Sequence, residues 1–414
     1  MMFSVFPCAF SFVVTEAAEL FRMERDGACV LRIDRREGEI CAALQYDVQD
    51  APLCLTAEAS VGDTVTLAVY PYRVELYCGD TLCDEEWPYG NPCYADAEVS
   101  VCNVQMHPCA LPIPPVSAGS FVGAEGWRPG GGVFVGDCMP YVHGDRYHVL
   151  YLKDRHHHGS KWGRGAHQWE HISTADLVHW EIHPMAVAID DPMEGSICTG
   201  SHIYENGKHY LYYAVRKSDW SPATIERSVS EDGIHFSKDR AFRFTLSDAY
   251  DKGSARDPKV IRGADGKCHM FVTTSEAASG NGALAHLVSD DGDDWREIGS
   301  IYVAPDRDQP ECSDYFCYRG KYYLIFSHHG RAQYRYSDAP FDGWTIPEEP
   351  EIPCSTVPKA GIFGDRIIFA GFRGMGGYAG VMTFMEADTD ERGVMRFFPV
   401  AEMALQNGND GGEN

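Results

Sequence analysis

The sequence predicts an all-β protein, a five-bladed β-propeller preceded by an antiparallel, sandwich-like β-domain, on three observations. A glycine followed within a few residues by an apolar-aromatic run occurs five times: Gly144 with Tyr147 to Tyr151, Gly207 with Tyr210 to Tyr213, Gly266 with Met270 to Val272, Gly320 with Tyr322 to Phe326, and Gly364 with Ile367 to Phe369. The copies lie 44 to 63 residues apart, a beat that suits small sheets stacked radially, because one such sheet cannot bury both faces without neighbours. A second marker keeps the same beat: Ser173, Asp176 and Trp180; Ser230, Asp232 and Phe236; Ser289, Asp291 and Trp295; Ser337, Asp338 and Trp344. Turn-forming residues ahead of an aromatic that a strand would bury suit a hairpin between outer strands. The third observation is that residues 1 to about 115 lack this beat.

In chain order, the apolar start from Met1 to Val14 reads as a first strand. It has no Lys or Arg ahead of its apolar stretch, and Glu16 and Glu19 follow closely, so it does not read as a secretory leader. Cys29 to Ile33, Ile40 to Leu44, Leu53 to Ala57, Thr64 to Tyr70 and Arg73 to Tyr77 are short segments of strand-forming residues, with Asp, Glu or Gly between them. Pro108, Pro112, Pro114 and Pro115, then the glycine-rich stretch from Gly119 to Gly132, mark a linker. The expected division is an accessory β-domain over 1–118, a propeller over 119–405 and a flexible tail over 406–414.

Composition narrows the partners. Lys plus Arg total 35 against 61 Asp plus Glu, a formal net charge of −26, which would repel phosphate backbones and anionic lipid. Nucleic acid and membrane surfaces are therefore poor partners, and a neutral, hydroxyl-rich ligand fits better. No run approaches the ~18 apolar residues of a membrane span. The fifteen cysteines are scattered, odd in number and often set in apolar strands, as at Cys198, Cys268 and Cys317, which reads as reduced thiols in a soluble cytoplasmic protein. None has zinc-ligand spacing with histidine partners, so neither metal nor cofactor is expected.

Three acids coincide with the repeat. Counting back nine residues from Gly266 and Gly320 reaches Asp257 and Glu311, and seven residues before Gly144 lies Asp137. The strand that begins each propeller blade lines the central channel, so acids at equivalent places would face one cavity. Glycoside cleavage needs one protonated carboxyl to assist the leaving group and one ionised carboxylate to attack or to activate water. Crowding like charges in a desolvated pocket raises the pKa of one member and supplies that acid.

At these residues the sequence resembles the five-bladed propeller glycosidases of glycoside hydrolase family 32 and its fructan-active relatives. The matches are GDCMPY around Asp137, WEHISTADLVHW from Trp169 to Trp180, ARDPKV around Asp257 and ECSDYF from Glu311. The resemblance covers roughly residues 130 to 345. It implies Asp137 as nucleophile, Glu311 as acid/base, Asp257 as transition-state stabiliser and Arg256 as a sugar-ring contact. The implied reaction is retaining cleavage of a terminal β-fructofuranosyl residue in a disaccharide or oligosaccharide such as sucrose, inulin or levan. There are two departures. The sandwich-like domain precedes the propeller instead of following it, and Gly136, Cys138, Met139 and Pro140 stand where the family usually has NDPNG. The step from Asp137 to Gly144 also resembles the arabinanase and xylosidase propellers of family 43, which invert. A catalytically silent sugar-binding propeller is the alternative of another class.

Further substrate contacts are expected from the loop carrying His158, Trp162 and Trp169, with Arg155, Arg164 and His167, from Thr199 and Ser201 at the start of the second blade, and from Tyr315 after Glu311. For each the competing reading is packing or a solvated loop.

Overall fold

The structure, a computed structural model, describes residues 3, 6–48, 50–71, 73–88, 90–112, 119–121, 126–130, 133–155, 167–191, 193–217, 219 and 221–406. All but Gln406 of the expected tail lies outside them. The chain divides into two compact units. One contains Met1–Val116 and also takes in Ile189–Gly195; the other holds Ser117–His157, His167–Ala188 and Ser196–Asn414.

The first unit is a β-sandwich of two five-stranded antiparallel sheets. One runs in the order His107–Cys109, Cys8–Val13, Thr64–Val69, Val74–Cys78, Thr81–Glu86; the other runs Leu53–Glu58, Glu39–Leu44, Ala28–Arg36, Glu19–Arg25, Glu98–Cys102. Period-two alternation turns Phe10, Phe12, Leu67 and Leu76 of the first toward Phe21, Leu31, Ile33, Ala42 and Leu55 of the second, in one buried core.

The second unit is the five-bladed propeller. Blade 1 comprises Val133–His143, Arg146–Arg155, Gln168–Thr174 and Trp180–Val187, and blade 2 Glu194–Glu205, Lys208–Lys217, Thr224–Ser230 and Ser237–Phe244. Blade 3 comprises Arg256–Arg262, Cys268–Ser275, Gly282–Ser289 and Arg296–Val303, and blade 4 Glu311–Tyr318, Lys321–His328 and Arg331–Ser337. Blade 5 comprises Thr356–Phe363, Arg366–Gly374, Gly380–Thr389 and Met395–Phe398, and pairs with blade 1 through Val135 and Gly380. The five repeat glycines occupy the first turn of each blade with φ between 61° and 80°, the left-handed region where a side chain is strained. Each second strand is packed on both faces by neighbouring blades, so its sequence is a continuous apolar run such as Leu211 to Val215.

The second marker forms the turn between third and fourth strands. Ser230 Oγ accepts from Gly233 N at 2.9 Å while Asp232 Oδ1 accepts from His235 N at 2.8 Å, and Ser289 and Asp291 repeat the pattern. In blade 1 the role falls to Thr174, one residue beyond the expected Ser173: Thr174 Oγ1 accepts from Leu177 N at 2.9 Å. Blade 4 differs more. Past its third strand only isolated bridges, Tyr336 with Thr345 and Gln333 with Glu351, stand in for a fourth, because Pro340, Pro347, Pro350 and Pro353 lack the N–H that a ladder needs. Among the described residues, no helix is long and apolar enough to cross a membrane.

Candidate active site

The first strands of blades 1, 3, 4 and 5 share a defect. Their pairing slips between Val135 and Cys138, Arg256 and Lys259, Glu311 and Asp314, and Thr356 and Lys359. Each slip is a β-bulge, which bends the strand and re-aims its side chains. Asp257, Cys312 and Val357 sit at φ 56°, 53° and 42°, a left-handed backbone that is costly for non-glycine residues and is found where the surrounding fold enforces it. Aligned on the bulge, Glu311 precedes the left-handed position, Asp257 occupies it and Asp137 follows it. This corrects the expectation that the acids are equivalent: the turn of blade 3 is longer than that of blade 4, since Arg262 pairs with Cys268 but Tyr318 with Lys321, so counting from the glycine misaligns them.

The bulges bring the three carboxylates into one connected network. Asp137 Oδ2 accepts from Thr199 Oγ1 at 2.5 Å and from Cys312 Sγ at 3.3 Å, and its Oδ1 accepts from Tyr378 OH at 2.9 Å. The backbone N–H of the same Cys312 donates to Asp257 Oδ2 at 2.9 Å. Arg256 places Nη2 2.8 Å from Glu311 Oε1 and Nε 3.7 Å from Asp257 Oδ2. It is itself held by Ser254 O and Gln309 Oε1, while Gln309 Nε2 donates to Ser254 and Ser275. Asp257 is nearly inaccessible, whereas the Glu311 side chain is 42% exposed and open to a ligand.

Electrostatics follow from this burial. Asp257 is raised above its usual 3.8, by burial first and by Asp137 and Glu311 after it, with Arg256 and Lys359 pulling the other way. Cys312 and Tyr378 are raised well above their usual values, chiefly by burial and then by the Asp137 charge, so both remain protonated donors to that carboxylate. Beneath the network Lys359, 2% exposed, donates to Gly200 O and Ser313 O at 3.1 Å each, the carbonyls next to Thr199 and Cys312. A cavity of about 210 Å³ lined by Met139, Ser201, Lys259 and Lys359 occupies this level of the channel.

Of the other expected contacts, Thr199 and Arg256 reach the network. Trp169 does not: it is completely buried, donates Nε1–H to Cys198 O at 3.1 Å and packs edge-on against Tyr213, so it is core between blades 1 and 2. Tyr315 is likewise core, packed among Phe271, Phe341 and Trp344 with its hydroxyl on Pro340 O. Strand alternation turns it toward the neighbouring blade. Ser201 spends its hydroxyl on the backbone, donating to Pro258 O at 2.8 Å and accepting from Val260 N at 2.9 Å, and so braces blade 2 against blade 3. His158 and Trp162 lie outside the described residues, as does Arg164. His167 is buried, 3.1 Å from Asp154 and stacked on Tyr378.

Tyr378, Gln309 and Lys359 were not anticipated. Tyr378 had one usable signal, a single aromatic in the glycine-rich GMGGYAG between two strands of blade 5. Gly136 complements it: a Cβ there would lie 2.8 Å from the Tyr378 hydroxyl, so the residue before Asp137 has to stay small for that bond to form.

Residues 138–348, about half of the chain, match the glycosyl hydrolases family 32 N-terminal domain. The chain belongs to glycoside hydrolase family 32. The matched region includes Asp257 and Glu311 and starts immediately after Asp137. Among curated family 32-like relatives, a sucrose-6-phosphate hydrolase of Bacillus subtilis is 31% identical over 198 residues, 44% of this chain and 40% of the relative. One of Escherichia coli is 30% identical over 206 residues, 47% of this chain and 41% of the relative. The matched stretch thus spans about 40% of the length of these relatives. Among solved structures, fructan 1-exohydrolase IIa from Cichorium intybus shares the fold with a TM-score of 0.56 at 16% identity, covering 69% of this chain and 61% of its own. A sucrose-6-phosphate hydrolase from Lactobacillus gasseri gives 0.54 at 18% identity, covering 65% and 63%.

Proposed function

We propose that this family 32 protein hydrolyses terminal β-fructofuranosyl linkages of sucrose-type saccharides and fructans, with retention. The observation that carries the reading is the network itself: Asp137 and Asp257 both hydrogen-bond Cys312, and Arg256 links Asp257 to Glu311. The names of the relatives, hydrolases of sucrose 6-phosphate and of fructan, lend support, since both saccharides contain fructose.

In this reading Asp137 is the nucleophile. Thr199, Tyr378 and Cys312 hold its two oxygens, so its attack on the anomeric carbon starts from a fixed orientation. Glu311 gives its proton to the departing glycosidic oxygen as the C–O bond breaks, leaving a covalent fructosyl-enzyme on Asp137. It then takes a proton from the water that displaces Asp137, restoring both carboxyls. Asp257 binds hydroxyls of the ring, and the Arg256 guanidinium holds Glu311 while balancing the charge of Asp257.

Incubating the full chain with sucrose, sucrose 6-phosphate, inulin and levan, and following the first-formed anomer of fructose by NMR, tests the proposal. Release of β-fructose, lost in Asp137→Asn and Glu311→Gln, is expected. First-formed α-fructose would place the chemistry with inverting enzymes, and hydrolysis unchanged in both variants would remove the assignment.

A further inference from the structure

Away from the carboxylates, blade 1 gathers three histidines from three adjacent strands. His171 stands opposite His183 in the ladder, and His148 stands opposite Ser173, two residues from His171, so strand alternation puts all three imidazoles on one face. Each offers a ring nitrogen within 4.8 Å of those of the other two. His148 Nδ1 and His171 Nε2 are 3.0 Å apart. His171 is completely buried and His148 nearly so, while His183 is half-buried.

We propose that His148, His171 and His183 form a binding site for a divalent transition-metal ion, zinc in the first instance.

The spacing supports this: two nitrogens bound to one tetrahedral zinc at about 2.0–2.1 Å lie about 3.3 Å apart, a few tenths of an ångström from the separation of His148 Nδ1 and His171 Nε2. His183 has the freedom to close the remaining gap, being the least buried of the three. Its Nε2 lies 2.6 Å from Ser173 Oγ. Arg146 donates to the same Oγ and is paired with Glu181 at 2.9 Å, which offsets its charge. Imidazole donors with no carboxylate favour zinc, copper or nickel over magnesium or calcium.

The full chain, stripped with chelator and titrated with zinc alone, is expected to take up one ion with a rise in melting temperature. His183→Gln is expected to lose that ion, whereas His329→Gln, in the exposed group of Asp306, His328 and His329, is expected to keep it. X-ray absorption of the zinc-loaded wild type gives a readout independent of whether His183→Gln folds, and imidazole scattering from three ligands is expected. Absence of stoichiometric zinc, retention of it by folded His183→Gln, loss of it in His329→Gln, or a zinc shell without three imidazoles would each overturn the proposal.

Discussion

The first strands of blades 3 and 5 carry nearly the same words, Arg256-Asp257-Pro258-Lys259 and Thr356-Val357-Pro358-Lys359, and the same bulge, with a left-handed residue ahead of the proline in each. In blade 3 that position holds a carboxylate, preceded by the arginine that reaches Glu311. In blade 5 it holds a valine preceded by a threonine. The bulge is thus a property of the fold repeated around the ring, and the chemistry comes from which blades place ionisable residues on it. The lysines diverge too: Lys259 pairs with Asp314 at 2.5 Å, whereas Lys359 serves two backbone carbonyls of other blades.

Four experiments test that division between scaffold and chemistry. The largest effect is expected from Asp137→Asn and Glu311→Gln, each lowering kcat by about 10³-fold or more with an unchanged circular dichroism melt, since both side chains serve the network and not the core. Activity assays and melts on the same preparations check this.

Next is Lys359→Met, set against Lys259→Met. Loss of Lys359 leaves the Gly200 and Ser313 carbonyls unmatched, at about 1–3 kcal/mol each, in the midpoint of denaturant unfolding. It also removes a charge that pulls the Asp257 pKa down, so that carboxyl rises further. An acid with a raised folded pKa favours the folded state most below its unfolded value of 3.8, and that contribution is lost as pH rises through the folded value. The extra instability of Lys359→Met is therefore expected to grow from acid to neutral pH. If ionised Asp257 is the working form, the acid limb of kcat/KM moves to higher pH in the same variant. A limb that stays in place would separate Lys359 from the chemistry.

Tyr378→Phe removes one neutral donor from the Asp137 carboxylate. A hydrogen bond to a charged group contributes about 1.5–3 kcal/mol, so kcat/KM is expected to fall about 10- to 100-fold, with a small change in melting temperature. The smallest effect is expected from Ser201→Ala, about 1 kcal/mol of stability with KM unchanged, because its hydroxyl braces two strands. A rise in KM there would return Ser201 to the sugar.

Much of this was readable before any coordinates. The five glycines declare the blades because a turn with positive φ tolerates little else, and the apolar runs after them declare second strands because those are covered on both faces. The three acids were legible as residue types that an apolar strand does not otherwise accommodate. Trp169 and Tyr315 were misread for a related reason: an aromatic in a strand that carries a family motif looks the same in sequence whether it faces a ligand or a neighbouring blade, and here both face a neighbouring blade.

What the sequence by itself determined is the periodic alternation of turn and strand, since it depends on residues a few positions apart. What only the tertiary structure decided is the phase of each first strand. A one-residue slip at a bulge turns side chains to the other face of a strand, and it depends on pairing partners ten or more residues away in the chain. That slip puts Asp137, Asp257 and Glu311 at three successive positions and yet within one network, and it recruits Tyr378 and Lys359 from a blade that supplies none of the three acids.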